Sequence, residues 1–171
     1  MNLSHSITIR NALPSDHKTV LSVIPEWWGG RDLRSSLPKL FFLHFGNSSF
    51  IAEKNGILFG FLVGFLSQDH PEEGYIHFAG VRPGFRNQGL GKTLYRHFYT
   101  HCLTHSRTIV RSCTAPENRL SIGFHRRMGF VPEPGDIMED GIPVTLGYLR
   151  ENDRKVVFKK MLAEKYDNAP E

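Results

Sequence analysis

The sequence is poor in the residues that would staple a fold, span a membrane or grip a metal. Only two cysteines occur, Cys102 and Cys113, and they form no CxxC pair, which excludes a disulfide framework and a zinc knuckle. Long apolar runs are missing too. The longest, Ile57 to Leu66, has ten residues and is interrupted by Gly60 and Gly64, whereas a membrane-spanning helix needs about 20. That run reads as a buried strand. The opening residues, Met1 to Ser6, lack the basic-then-apolar pattern of a secretion signal, so the expected location is the cytoplasm. No repeat and no low-complexity linker interrupts the chain. Its 171 residues, 40% hydrophobic and 22% charged, suit one soluble globular domain over residues 1–171.

The most informative absence is of one charge sign. Over the 43 residues from Gly74 to Pro116 there is no Asp or Glu, while Arg82, Arg86, Lys92, Arg96, Arg107 and Arg111 supply six positive charges. The whole chain carries only +4, so the remainder is slightly acidic. A positive segment this local suits a small polyphosphate ligand. A nucleic-acid partner would rest on net charge alone, and neither nucleic acid nor membrane is an expected partner.

Periodicity supplies the elements. Ile7 to Arg10 alternates as a short strand, and Pro14-Ser15-Asp16 opens a helix that Pro25 is expected to stop. Leu33, Leu37, Leu40, Phe41 and Phe45 predict a second amphipathic helix over 32–45. Phe50 to Glu53, the turn Asn55-Gly56 and Ile57 to Leu66 form a hairpin. Strands at Tyr75–Val81 and Thr108–Thr114 flank a helix over 88–105, whose buried face is Leu90, Leu94, Phe98 and Cys102. A helix over Asn118–Met128, a strand at Phe130-Val131, a turn at Glu139-Asp140-Gly141 and a strand around Val156–Phe158 complete the order. Asp167 to Glu171 reads as a frayed tail. An antiparallel meander followed by alternating helices and strands implies an α/β (α+β) domain: a mixed, mostly antiparallel sheet with helices on both faces.

The chemistry concentrates in Val81-Arg82-Pro83-Gly84-Phe85-Arg86-Asn87-Gln88-Gly89-Leu90-Gly91-Lys92-Thr93. A strand ends, a glycine- and arginine-bearing loop follows, and a helix opens. That arrangement makes an anion site from unpaired N–H groups and the helix dipole. It is neither GxxxxGK[ST] nor GxGxxG. Arg86-Asn87-Gln88-Gly89-Leu90-Gly91 resembles motif A of the GNAT acetyltransferase superfamily, (Q/R)xxGx(G/A), and Asn118 to Phe130 resembles its motif B. The two occur in order, and the resemblance covers roughly residues 48–133.

The resemblance implies a GNAT fold whose central strands, Tyr75–Val81 and Thr108–Thr114, splay to admit acetyl-CoA as co-substrate, without metal. It implies that the backbone of Ala79, Gly80 and Val81 meets the pantetheine amides. The loop from Asn87 through Gln88, Gly89, Leu90 and Gly91 to Lys92 would hold the pyrophosphate with help from Arg86 and Thr93. Asn118 would contact the pantetheine arm, cap its helix, or both. Where many members have an acidic Tyr this chain has His125, which either protonates the leaving thiolate or packs beside the cofactor. The Glu that acetylases of protein N-termini often carry five residues before Asn118 is replaced by Cys113, which reads as a buried small residue. Glu72 and Glu73, which precede the strand that leads into motif A, and His77, on it, are the candidate bases, Glu73 and His77 foremost. Trp27 and Trp28 are the candidate acceptor wall, against the alternative of core packing. His97, His101 and His105 read as one exposed helix face rather than a metal site. The expected activity is acetyl transfer from acetyl-CoA to a primary amine, small or peptide-borne, by direct attack in a ternary complex, in a monomer or homodimer. The alternative is a CoA-binding sensor or interaction module with little catalysis.

Overall fold

The computed structural model describes residues 7–162; the Met1–Ser6 and Asp167–Glu171 readings fall outside them. In chain order the elements are β1 (Thr8–Asn11), α1 (Asp16–Trp27), α2 (Leu40–His44), β2 (Phe50–Lys54), β3 (Ile57–Leu66), β4 (Glu73–Val81), α3 (Leu90–Thr104), β5 (Ile109–Thr114), α4 (Arg119–Arg127), β6 (Val131–Pro132), β7 (Ile137–Glu139), β8 (Ile142–Leu146) and β9 (Arg154–Met161). The strands form a mixed sheet in the order β1-β2-β3-β4-β5-β9-β8-β7, with β6 pairing β9. Among the described residues β4 and β5 run parallel and the other pairings are antiparallel.

Two apolar layers sandwich the sheet. On one face Leu94, Tyr95, Phe98, Tyr99 and Cys102 of α3 and Ile122 of α4 pack with Leu62, Ile76, Val110 and Phe158. On the other, Val20, Ile24 and Trp27 of α1 and Phe42 of α2 pack with Ile51, Phe61 and Val63. The side chain of each strand residue therefore has a definite side, because alternate residues face opposite layers.

Two expectations are corrected. Helix α1 runs through Pro25 to Trp27; a proline in the last turn removes only one N–H donor, and two more residues complete the helix. The expected helix over 32–45 is instead a 3₁₀ turn, Arg34–Ser36, and the five-residue α2. Pro38 is the cause: it drives the preceding Leu37 out of the helical region, to φ −128° and ψ 71°. The break leaves the Ser36 carbonyl available to a side chain of β4.

Candidate active site

The sheet splits at its centre. β4 and β5 pair only from Glu73–Ile109 to Ile76–Ser112, and the Ser112 hydroxyl donates to the Ile76 carbonyl at 3.1 Å, closing the last rung. Beyond it, Cys113 and Thr114 pair with β9, and Phe78–Val81 pair with β3. The two strands thus part over the residues where the splay was expected. His77 sits at the fork as an extra residue: Val63 pairs with Phe78 but Gly64 with Ile76. Such a bulge bends its strand and re-aims the side chain.

The open edge of β4 is lined by alternate amides. The Arg82 N–H bonds the Phe59 carbonyl at 2.9 Å, so by antiparallel alternation Gly80 also turns its amide to β3 while Ala79 and Val81 turn theirs to the gap. Gly80 matters through what it lacks. A Cβ there would collide with the six-membered ring of Trp28, whose centroid lies 5.1 Å from that of the tilted Phe78 ring. Gly80→Leu is therefore expected to displace Trp28 and to destabilise the protein by about 1–3 kcal/mol, the usual cost of overpacking. Urea denaturation with Trp28 fluorescence checks this; an unchanged midpoint and spectrum would contradict the packing.

At the mouth of the gap, the chain turns through Asn87 (φ 60°) and Gly89 (φ 87°) into α3. The first regular bond of the helix runs from Thr93 N–H to Gly89 carbonyl at 3.0 Å, so the N–H groups of Leu90, Gly91 and Lys92 precede any intrahelical acceptor. They converge with the positive end of the fifteen-residue α3. The Thr93 hydroxyl donates to the same Gly89 carbonyl at 3.2 Å. Gly91 faces α4: a Cβ would touch the Phe124 ring at 3.4 Å and Val81 at 3.7 Å. Gln88 braces the loop through the Gly84 carbonyl at 3.1 Å.

Arg86 is placed differently from the expected phosphate ligand. Its guanidinium donates to the Val81 carbonyl at 3.0 Å and to the Trp27 carbonyl at 2.5 Å, tying the loop to the end of α1. Arg107 donates to the carbonyls of Pro71 and Ser67, and Arg111 pairs with Glu73 and Glu133. At least half of the six positive charges are thus engaged by the protein itself, and Arg82, in the loop, lies over the Phe59 ring at 5.6 Å.

The opposite face of the fork is the α1–α2 face. Gly74 and Ile76 point to α3, since a Cβ on Gly74 would collide with Cys102; Glu73 and Tyr75 therefore point away. His77 reaches the same side. Its Nε2–H donates to the Ser36 carbonyl at 2.7 Å, and its ring stacks on Phe41 at 4.2 Å and 8°. Burial lowers its pKa, an effect only partly countered by the Ser36 bond, so the ring is neutral at pH 7 with the proton fixed on Nε2. Glu73 is buried, with one oxygen 2.7 Å from Arg111 Nε. Trp27, expected to help wall the acceptor site, is 3% exposed and stacks on Phe61. It is core; Trp28 alone of the pair reaches β4.

His125 does not present a free ring edge. It is 4% exposed, its Nδ1–H donates to the Ser121 carbonyl at 2.8 Å, and its Nε2 accepts from the Tyr95 hydroxyl, 3.1 Å away. The ring stacks on Phe158 at 4.8 Å and 4°. Desolvation pushes its pKa down to about 4. Asn118 is the α4 cap, its Oδ1 accepting from Ser121 N–H at 3.2 Å. Burial raises the Cys113 thiol above its ordinary pKa and pushes Cys102 up to about 12, so both stay protonated at pH 7. Tyr148 escaped the sequence reading: it lies after β8, far along the chain, yet its hydroxyl interacts with that of Tyr75.

A profile described as the Acetyltransferase (GNAT) family matches residues 17–130. The chain belongs to this family. A curated relative, the mycothiol acetyltransferase of Streptomyces avermitilis, is 30% identical over 91 residues, which are 52% of this chain and 29% of that protein. The GNAT chain thus spans under a third of that relative's length. Among solved structures, Ard1 from Thermoplasma volcanium superposes with a TM-score of 0.72 at 21% identity, covering 93% of this chain and 99% of that one. The putative acetyltransferase yncA from Salmonella typhimurium, solved with its cofactor acetyl-CoA, gives 0.64 at 15% identity over 97% and 98%. These likenesses agree with the mixed, split sheet of the GNAT fold. No helix among the described residues is long and apolar enough to cross a membrane.

Proposed function

We propose that the protein transfers acetyl from acetyl-CoA to a primary amine, the two substrates meeting at the fork from opposite faces of the sheet. The observation that carries this reading is the parting of β4 and β5 where β4 runs into a loop whose N–H groups precede the first regular bond of α3. A pyrophosphate suits the amides of Leu90 to Lys92 and the dipole of α3. The open-edge amides of Ala79 and Val81 suit the amides of the pantetheine arm, and an N–H there would polarise the thioester carbonyl. Asn87, Gln88 and Arg86 shape the loop rather than reach into it.

On the other face the amine arrives protonated and must lose a proton before its lone pair attacks the thioester carbon. His77 is assigned as the base. It is neutral, and its Nε2–H is held by Ser36, so Nδ1 is the acceptor for the proton. The new C–N bond forms, the C–S bond breaks, and a thiolate leaves. A thiolate is a good leaving group and needs no acid from His125, whose ring is assigned to packing. Glu73 is assigned to holding Arg111.

Because the folded protein disfavours the imidazolium form of His77, its lowered pKa keeps the base competent below the ordinary His value of about 6.5. The acidic limb of kcat/KM is expected below that pH. His77→Gln is expected to lower kcat by roughly 10²-fold, the lower end for general base catalysis, with CoA affinity unchanged. Steady-state rates from pH 5 to 9 check both; an unaltered limb in the variant would remove His77 from the chemistry.

A further inference from the structure

A cleft of about 360 Å³ opens on the α1–α2 face at the root of the fork, lined by Phe65, Tyr75, Tyr148, Glu73, Glu133 and Arg111 among others. We propose that it binds the far end of the acceptor and selects a second cationic group, making the preferred substrate class an aliphatic diamine. The inference rests on the acetyl-transfer reading above, which places the reacting amine at the fork beside His77.

The charge balance carries the argument. Arg111 is the only Lys or Arg among the lining residues, and two carboxylates hold it: Glu73 at Nε, 2.7 Å away, and Glu133 at a terminal nitrogen. Among the Lys, Arg, Asp and Glu side chains of the lining, two carboxylates stand against one guanidinium, with His70 also on the wall and Lys159 opposite Arg111 on β9. The guanidinium is engaged along two edges, so an acceptor carboxylate would have to displace one of its partners. A cation meets no such obstacle. Glu133 is the more open carboxylate, its side chain 26% exposed against 8% for Glu73, and is the natural end point for a second ammonium. Three aromatic rings line the cleft: Phe65 stacks on Tyr75 at 5.3 Å and 15°, and Tyr148 stands beside Tyr75. Aromatic faces accept both a methylene chain and an ammonium. The Tyr75 hydroxyl is buried against that of Tyr148, which fixes the two rings as one aromatic wall of the cleft.

The test compares 1,4-diaminobutane, butylamine and 4-aminobutanoate as acceptors, following CoA thiol release by the full chain. The diamine is expected to exceed butylamine in kcat/KM by about tenfold, one charge-assisted contact's worth, and 4-aminobutanoate to be poorest. Glu133→Gln is expected to remove the diamine's advantage mainly through KM, to leave butylamine unchanged, and to improve 4-aminobutanoate because Arg111 gains an open edge. Equal rates for diamine and butylamine, or a preference for 4-aminobutanoate in the unaltered protein, would overturn the inference. Calorimetric binding of 1,4-diaminobutane to the CoA-loaded protein, lost in Glu133→Gln, reads the cleft independently of turnover. Binding without acetylation would therefore strike at the catalytic reading and leave this one standing, and absence of binding would end it.

Discussion

Gly91→Leu is expected to raise the dissociation constant for CoA by roughly 100-fold or more, about 2.7 kcal/mol, while the cooperative unfolding transition persists. The space at Gly91 is already closed on one side, with Phe124 3.4 Å and Val81 3.7 Å from where a Cβ would stand. A leucine side chain outgrows the contact that a methyl group would make with Phe124 and Val81, and crowds the first turn of α3, where the pyrophosphate is assigned. Gly91→Ala, which asks only for ordinary contact distances, is expected to cost far less. Gly89 fails by another route. Its φ of 87° is strained for any side chain by about 1–3 kcal/mol, and nothing crowds its Cβ, so even alanine there should shift the start of α3. Titration calorimetry with CoA distinguishes the pair: at position 91 the loss grows with side-chain size, at 89 it is nearly size-independent. Equal CoA affinity in Gly91→Leu would contradict the placement of the phosphates.

The second large effect concerns acid stability. In the unfolded chain His125 takes up its proton near pH 6.5, whereas the folded protein resists this until about pH 4. Between those values the unfolded state binds more protons, so stability is complete above about 6.5 and falls as the pH is lowered toward 4. The shift corresponds to about 3 kcal/mol from this residue alone. Replacing His125 by leucine is expected to flatten that part of the stability–pH curve. It should also lower stability at pH 7, because Tyr95 loses its hydrogen-bond acceptor. Urea denaturation of both proteins from pH 4.5 to 7.5 checks the slope. Identical slopes would mean that the buried ring is not the titrating group.

Much of this arrangement was legible before the fold. The spacing Leu90, Leu94, Phe98, Cys102 marked α3 and its buried face, and the loop glycines marked the anion site, because both are local patterns. The split between β4 and β5 followed from a family resemblance and not from any pattern within the strands. What escaped the sequence was decided by partners far along the chain. Nothing local says that Arg111 would be claimed by Glu73 and Glu133, that Tyr148 would join Tyr75, or that Arg86 would turn to the Trp27 carbonyl. His125 and His77 show the same limit. As sequence they are two histidines near a cofactor site. In the fold, Phe158 and Tyr95 enclose one, while Pro38 breaks a helix and frees the Ser36 carbonyl that orients the other.

The most direct test of acetyl transfer across the fork is to mix the protein with acetyl-CoA and a primary amine and count thiol released against N-acetylated amine formed. The account predicts one thiol per acetylated amine, release that depends on the amine, and loss of both when Gly91 is replaced by leucine. Tight CoA binding with no amine-dependent thiol release from diamines, monoamines or amino acids would contradict it and leave a CoA-binding module in its place.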